Sequence, residues 1–341
     1  SLSLSHLAHR CRVQFQAADA ARTHLEVVPV LSAEDFSLRL LLPHTVDLNV
    51  AVANGSVALR DKIEGDVKVV VGRGDVSVNK LRGKAVSLKT NGGRIQVTAL
   101  VEGETVRLEA NESVSCKRLM AGRADVKLGK GAPAESDFGA IYAATCSVVS
   151  TNQSGEAALR VGNVHGYLRV SSDGLKSVQV DSVTGALEVE DGGDKCDVVA
   201  HFDSWTNDAR SSILVGGNVR VSLQPAAPIE VELHGTKVTV GDGCEFASSE
   251  MDQLDEDYAV FTGELRAQEG AMAAASASTG KINMDSAKDD AMRTSFFMKE
   301  GAVDRDDDAT SPRLFVHALS GEVTLDQLNW MDNIKRKHLK R

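Results

Sequence analysis

Short stretches of alternating apolar and polar residues recur along most of this chain, at regular spacing. Val67, Val76, Val86, Ile95 and Val106 each begin one, as do Leu159, Leu168, Val178, Leu187 and Val198. The steps within both sets are 9, 10, 9 and 11 residues, and the second set lies 92 positions after the first. Within each stretch, apolar residues two apart face one side of an extended strand and polar residues face the other. Gly65, Gly74, Gly83, Gly93 and Gly103 separate the units of the first set. They stand where the backbone must turn sharply or adopt positive φ. A strand is expected at 46–50, a lead-in strand at 36–42, and further strands at 218–223, 229–233 and 237–240.

Antiparallel sandwiches also place a strand every ~8–12 residues. The doubled period favours a different architecture. Alternate units recur at 19–20 residues, from Val67 to Val86 to Val106 and from Leu159 to Val178 to Val198. Such constancy is expected when each coil of a solenoid must stack on the last, adding two short strands per coil. The expected fold is all-β: a single parallel β-helix-like solenoid, with a terminal capping hairpin and an acidic insertion.

The organisation follows. Residues 1–35 read as a tail and 36–249 as the solenoid body, its rhythm broken at 130–145 and 201–212. Residues 250–312 read as an acidic insertion, with strands at 260–265 and 281–284, and 313–332 as a closing hairpin. Trp330 would plug the open end of the core, which a solenoid must cap. Residues 333–341 form a basic tail.

Composition agrees with a thin core. Aromatic residues are only 4% of the 341, against 42% hydrophobic residues overall and 29 glycines. A narrow solenoid suits Val, Leu, Ile and Ala, with Gly at its corners. The net charge of −10 excludes a nucleic-acid surface over the whole molecule but not a local one. Lys335, Arg336, Lys337, Lys340 and Arg341 crowd the last seven positions, as a solvated tail or as an RNA or acidic-partner contact. Residues 1–12 lack acids and carry Arg10, Arg12, His6 and His9, as the remnant of an organellar targeting segment or as an ordinary flexible terminus. Five widely spaced cysteines without a C-x-x-C argue against a disulfide framework and a structural zinc site, and for buried free thiols. No apolar stretch reaches the ~18 residues of a membrane span.

Candidate chemistry is sparse. Asp181, Asp191, Asp194 and Asp197 are the best carboxylates for a β-helix polysaccharide hydrolase or lyase. Most of them lie beside Gly192 and Gly193, where Asp serves turns. Asp304, Asp306, Asp307 and Asp308 lack the Gly and distal Glu of a calcium loop. The acidic run 250–257 reads as a solvated loop or as a dock for a basic surface. His165 and His201 have no companion at ligand spacing. No nucleophile elbow, phosphate loop or dinucleotide fingerprint is present. Neither a catalytic residue nor a cofactor is expected.

The runs Asp75-Val-Ser-Val-Asn-Lys-Leu-Arg-Gly83, Gly162-Asn-Val-His-Gly166-Tyr-Leu-Arg-Val170 and Ser320-Gly-Glu-Val-Thr-Leu325 resemble an adhesin-like β-repeat family of unknown function. The order of elements over about residues 36–335 is most similar to its animal mitochondrial branch. The resemblance implies a β-solenoid, no catalytic residues to carry over, and a mitochondrial matrix location. The expected function is a non-catalytic scaffold that presents surface to protein subunits of a larger assembly, with the mitochondrial ribosome as the first candidate. The alternative is a secreted or surface adhesin-like carbohydrate-binding module.

Overall fold

The computed structural model describes residues 11–19, 22–29, 37–129, 135–205, 209–224, 228–266 and 312–328. The chain forms two compact units, Ser1–Leu42 and Pro43–Arg341. In the first, where a tail is expected, β1 (Cys11–Asp19) and β2 (Arg22–Pro29) pair antiparallel. Residues 37–42 carry no strand, so the expected lead-in strand is absent over that stretch.

The second unit is the solenoid. It begins with β3 (Leu48–Asn54), β4 (Val57–Glu64), β5 (Val67–Arg73), β6 (Val76–Arg82) and β7 (Ala85–Thr90). Strands two apart pair in parallel, β3 with β5, β4 with β6 and β5 with β7. That is the mark of coils stacked in register. In the next five strands the two halves of a coil merge into one long, bent strand: β8 (Ile95–Ala110), β9 (Val114–Leu128), β10 (Glu135–Ser150), β11 (Ala158–Ser172) and β12 (Ser177–Asp191). The first half of β8 pairs with β6 and the second with β7, so one strand serves both faces. Where a break is expected at 130–145, the described part, 135–145, belongs to β10 and carries a register shift between Ala143 and Thr145.

The alternation predicts the core. Val67, Val69 and Val71 are buried on one face, and Val76, Val78 and Leu81 on the other. The same columns continue through Val106, Leu108 and Ala110, and through Ile95, Val97 and Val101. Each fully buried Val or Leu contributes about 1.5–3 kcal/mol. The rod is too thin for many rings. Phe138 and Phe202 are its largest fully buried side chains.

Corner residues tie each coil to the next. Asp66 Oδ1 accepts from the backbone N–H of Lys84 and Ala85, and Asp75 Oδ1 from that of Arg94. The glycines between them are required by close approach. Gly74 has φ +128°, and a Cβ there would come within 2.4 Å of the Gly55 carbonyl oxygen.

The C-terminal third departs from chain order. The solenoid continues through β13 (Asp197–Ser204), β14 (Arg210–Val215) and β15 (Val219–Leu223). The chain then leaves one coil's space empty. It lays down β16 (Ile229–Gly235) and β17 (Lys237–Val240), then an antiparallel hairpin of β18 (Phe246–Asp255) and β19 (Tyr258–Leu265). Finally β20 (Arg313–Ala318) and β21 (Glu322–Gln327) return to fill the gap. β20 lies parallel between β14 and β16, and β21 parallel between β15 and β17. The corner ladder crosses this break: Asp197 Oδ1 accepts from Asn218 N–H at 2.8 Å, and Asn218 Oδ1 from Glu322 N–H at 3.0 Å. Residues 313–327 are therefore an internal coil, not the closing hairpin expected from sequence. The capping hairpin is β18–β19, built from the stretch expected as an acidic insertion. The predicted strand at 260–265 is part of it.

Candidate functional site

The features unlike the rest of the solenoid gather at its C-terminal end. β16 pairs in parallel with β20 on one side and antiparallel with β19 on the other. Because side chains alternate across a strand, Glu232 and His234 point outward from β16. The parallel register sets them beside Phe315 and His317 of β20. Tyr258, the first residue of β19, completes the group. His234 Nδ1 lies 2.8 Å from the Tyr258 hydroxyl, and Nε2 lies 2.9 Å from Glu232 Oε1. Its ring centroid is 5.4 Å from those of both Phe315 and His317. Partial burial, then the neighbouring His234, push the His317 imidazole below its ordinary value. With both nitrogens of His234 engaged, the cluster is a polar-aromatic clasp across three strands. Among the described residues, no three His, Cys, Asp or Glu side chains come together as a metal site.

Beside the clasp, β19 and β18 extend one face of the solenoid past the last strand of the other. An open groove of about 630 Å³ results, lined by Thr236, Lys237 and Val238 on one side and Met251, Gln253, Glu256 and Ala259 on the other. The outer strand, β18, is exposed from Ala247 to Asp255. The acidic run 250–257 is thus an edge strand and its turn. Residues 246–265 carry six carboxylates and no Lys or Arg.

Of the aspartates singled out from sequence, Asp181, Asp191 and Asp197 are engaged in the scaffold, and Asp194 is exposed. Asp191 is 2% exposed. Its carboxylate accepts from the Ser172 hydroxyl and from the N–H groups of Gly174, Leu175 and Gly193. Asp181 accepts from Gln179 Nε2 at 2.6 Å and faces Arg160. His201 is fully buried, with Nδ1 2.8 Å from Ser222 Oγ and Nε2 3.0 Å from Asp203 Oδ1. These residue types are those of an acyl-transfer triad, but Ser222 is fully buried as well and the group ties β13 to β15. Cys116, Cys146 and Cys196 are buried free thiols, pushed up by burial to about 12. Trp330, Lys335, Arg336, Lys337, Lys340 and Arg341 lie outside the described residues, as do Asp304, Asp306, Asp307, Asp308 and the strand expected at 281–284.

No protein-family model, curated protein or solved structure matches this chain.

Sequence reading missed the clasp for an identifiable reason. The pairs Glu232/His234 and Phe315/His317 are visible as same-face neighbours two residues apart. Nothing local says that strands so far apart in the chain lie side by side.

Proposed function

We propose that this protein is a non-catalytic scaffold whose two outward solenoid faces are read by protein partners. The observation that carries this reading is a ladder of charges held in register along one face. Glu109 pairs with Lys89 at 2.8 Å and lies 3.9 Å from Lys127. Asp125 lies between Arg107 and Arg123. Arg169 reaches both Glu188 and Glu190 at 3.5 Å. Exposed pairs of this kind contribute little stability, about 0–1 kcal/mol each. Their fixed spacing suits recognition, since complementary charge patterns select partners and set association rates. The strands beneath them are locked by the core, so the pattern is presented preorganised.

The adhesin-like affiliation and the mitochondrial setting belong to the same proposal. The affiliation draws its support from the repeat runs 75–83, 162–170 and 320–325, and the setting from the acid-free, Arg-bearing composition of residues 1–12 and the basic residues among 335–341. Two experiments test the reading. Cross-linking with mass spectrometry should recover the same protein neighbours from intact cells and from isolated mitochondria. Neutralising the ladder with Glu109→Gln and Arg169→Gln, which sets no like charges against one another, should release them while the melting temperature stays within a few degrees. Recovery of no reproducible neighbour would defeat the scaffold. Failure to co-sediment with mitochondrial ribosomes at moderate salt would defeat the ribosomal assignment alone.

A further inference from the structure

The strand β18 is a long free edge. Among the described residues its outer side has no pairing partner, since it is hydrogen-bonded to β19 alone. It runs for 10 residues, and its register is regular from Ser248 to Gln253, between slips at either end. Folded proteins usually blunt such edges with charged side chains, lysine above all, or with proline, bulges or a covering element, because unpaired N–H and C=O groups recruit other strands. β18 holds no proline and no basic residue. Its two sides differ. Glu250 and Asp252 share the outward face, where Glu250 stands beside Thr262 and, one strand further, Glu232. Met251 and Gln253 face the opposite way, into the groove with Val238 and Ala259. Met251 is 50% exposed and Leu254 66% exposed, and among the described residues only Leu41 opens a large apolar side chain further than Leu254.

We propose that β18 is a strand-addition site that takes an extended segment of a partner protein bearing Lys or Arg at alternate positions, with aliphatic residues between them. The inference rests on reading the protein as a partner-binding scaffold. Main-chain bonds to the free edge supply affinity, and alternate side chains supply specificity. One row of the added strand would lie opposite Glu250 and Asp252, where opposite charges directly across a strand pair attract and like charges repel. The other row would extend the apolar floor that Met251 begins. Charge also selects against a second copy of this chain as the occupant. An antiparallel pairing centred on Met251 sets Glu250 of one chain against Asp252 of the other, with no basic residue in 246–265 to compensate.

The test uses the full chain and an end-blocked peptide of alternating lysine and valine, about eight residues long to match a strand. A second peptide carries glutamate in place of lysine. The lysine peptide should slow amide exchange across 248–254 by about tenfold. Its binding should weaken as salt rises, and the glutamate peptide should not bind. Glu250→Lys with Asp252→Lys should weaken the lysine peptide by at least about tenfold and admit the glutamate peptide instead. Both positions are exposed, so an unchanged melting temperature will show that the variant is folded. Equal binding of the two peptides, or binding that leaves 248–254 unprotected, would overturn the proposal. So would a dimer of the chain that protects β18 and resists the peptide. Binding that emerges only after removal of residues 335–341 would make the chain's own basic end the occupant, and would overturn it too. Cross-linking separates the two levels. If wild type and the double variant keep the same neighbours, strand addition fails and the scaffold stands. If wild type has none, the scaffold fails whatever the peptide does.

Discussion

Asp191 shows how a residue that suggests chemistry in the sequence becomes structural when its donors are counted. A buried carboxylate is tolerated only when its oxygens are satisfied, and here one hydroxyl and three N–H groups do so. Replacing it with Ala strands those donors inside the corner, and we predict a loss of about 3–5 kcal/mol in urea denaturation. Gly185 has φ +130°, and a Cβ would meet the Gly166 carbonyl oxygen at 2.2 Å. Gly185→Ala should therefore cost at least about 1–3 kcal/mol in the same assay. His317 sets a pH dependence. Its imidazole sits below its ordinary value in the fold, so the unfolded chain binds more protons once pH drops below about 6.5. His165 shifts the same way, through burial opposed by Asp203. Stability is then full above that pH and lost on acidification. Melting should be lower at about pH 5.5 than at about pH 7.5, well above the carboxylate range. His317→Gln should reduce the difference, leaving the part that His165 supplies, and an unchanged slope in that variant would remove His317 as a source.

At the scale of elements, the returning coil is the feature that local pattern could not place. Its grammar is ordinary. Gly321-Glu322-Val323 repeats Gly217-Asn218-Val219, and a Cβ on Gly321 would fall 2.1 Å from the Gly217 carbonyl oxygen. The position was hidden because a coil's sequence specifies how it stacks, not on which coil. The ends of the long connection lie close together. Leu265 pairs with Ile229, and Arg313 with Glu230 next to it. Two strand spacings are roughly 10 Å, a gap that about six extended residues cover with room to turn. Replacing residues 267–311 with such a linker should leave the melting temperature within a few degrees, and a collapse on excision would show that the connection contributes to the fold. Deleting 312–341 should do the opposite. It opens a gap one coil wide beneath β16, β17 and the capping hairpin, exposing the edges of β14 and β15. Aggregation measured by light scattering is the expected outcome.

The larger unit, Pro43–Arg341, is a stack, so its stability is close to a sum of coil and neighbour terms. Protection should follow position. Amides of β9 to β12, paired on both sides, should exchange slowest, and those of β3 and β18 fastest, in native-state hydrogen exchange. A uniform profile would mean that the stack opens as a single unit. The core thiols report on the same property. Burial holds Cys116, Cys146 and Cys196 at about 12 and half-buried Cys244 at about 11. Among these four, Cys244 should be the first to react with a thiol reagent in the native protein, and the others only on unfolding.

The sequence by itself determined the strand, the corner and the coil, because alternation, glycine placement and Asx turns act over a few residues and leave their period in the chain. Val67 to Val86 to Val106 is readable as a stack before any coordinates exist. Only the tertiary structure decided which segment closes the end, which fills the middle, and which outward side chains meet. Those outcomes depend on pairing between β16, β19 and β20. Parallel and antiparallel neighbours draw on the same alternating pattern, so the pattern cannot choose between them. His234, Tyr258 and His317 were therefore legible as residues and invisible as a cluster.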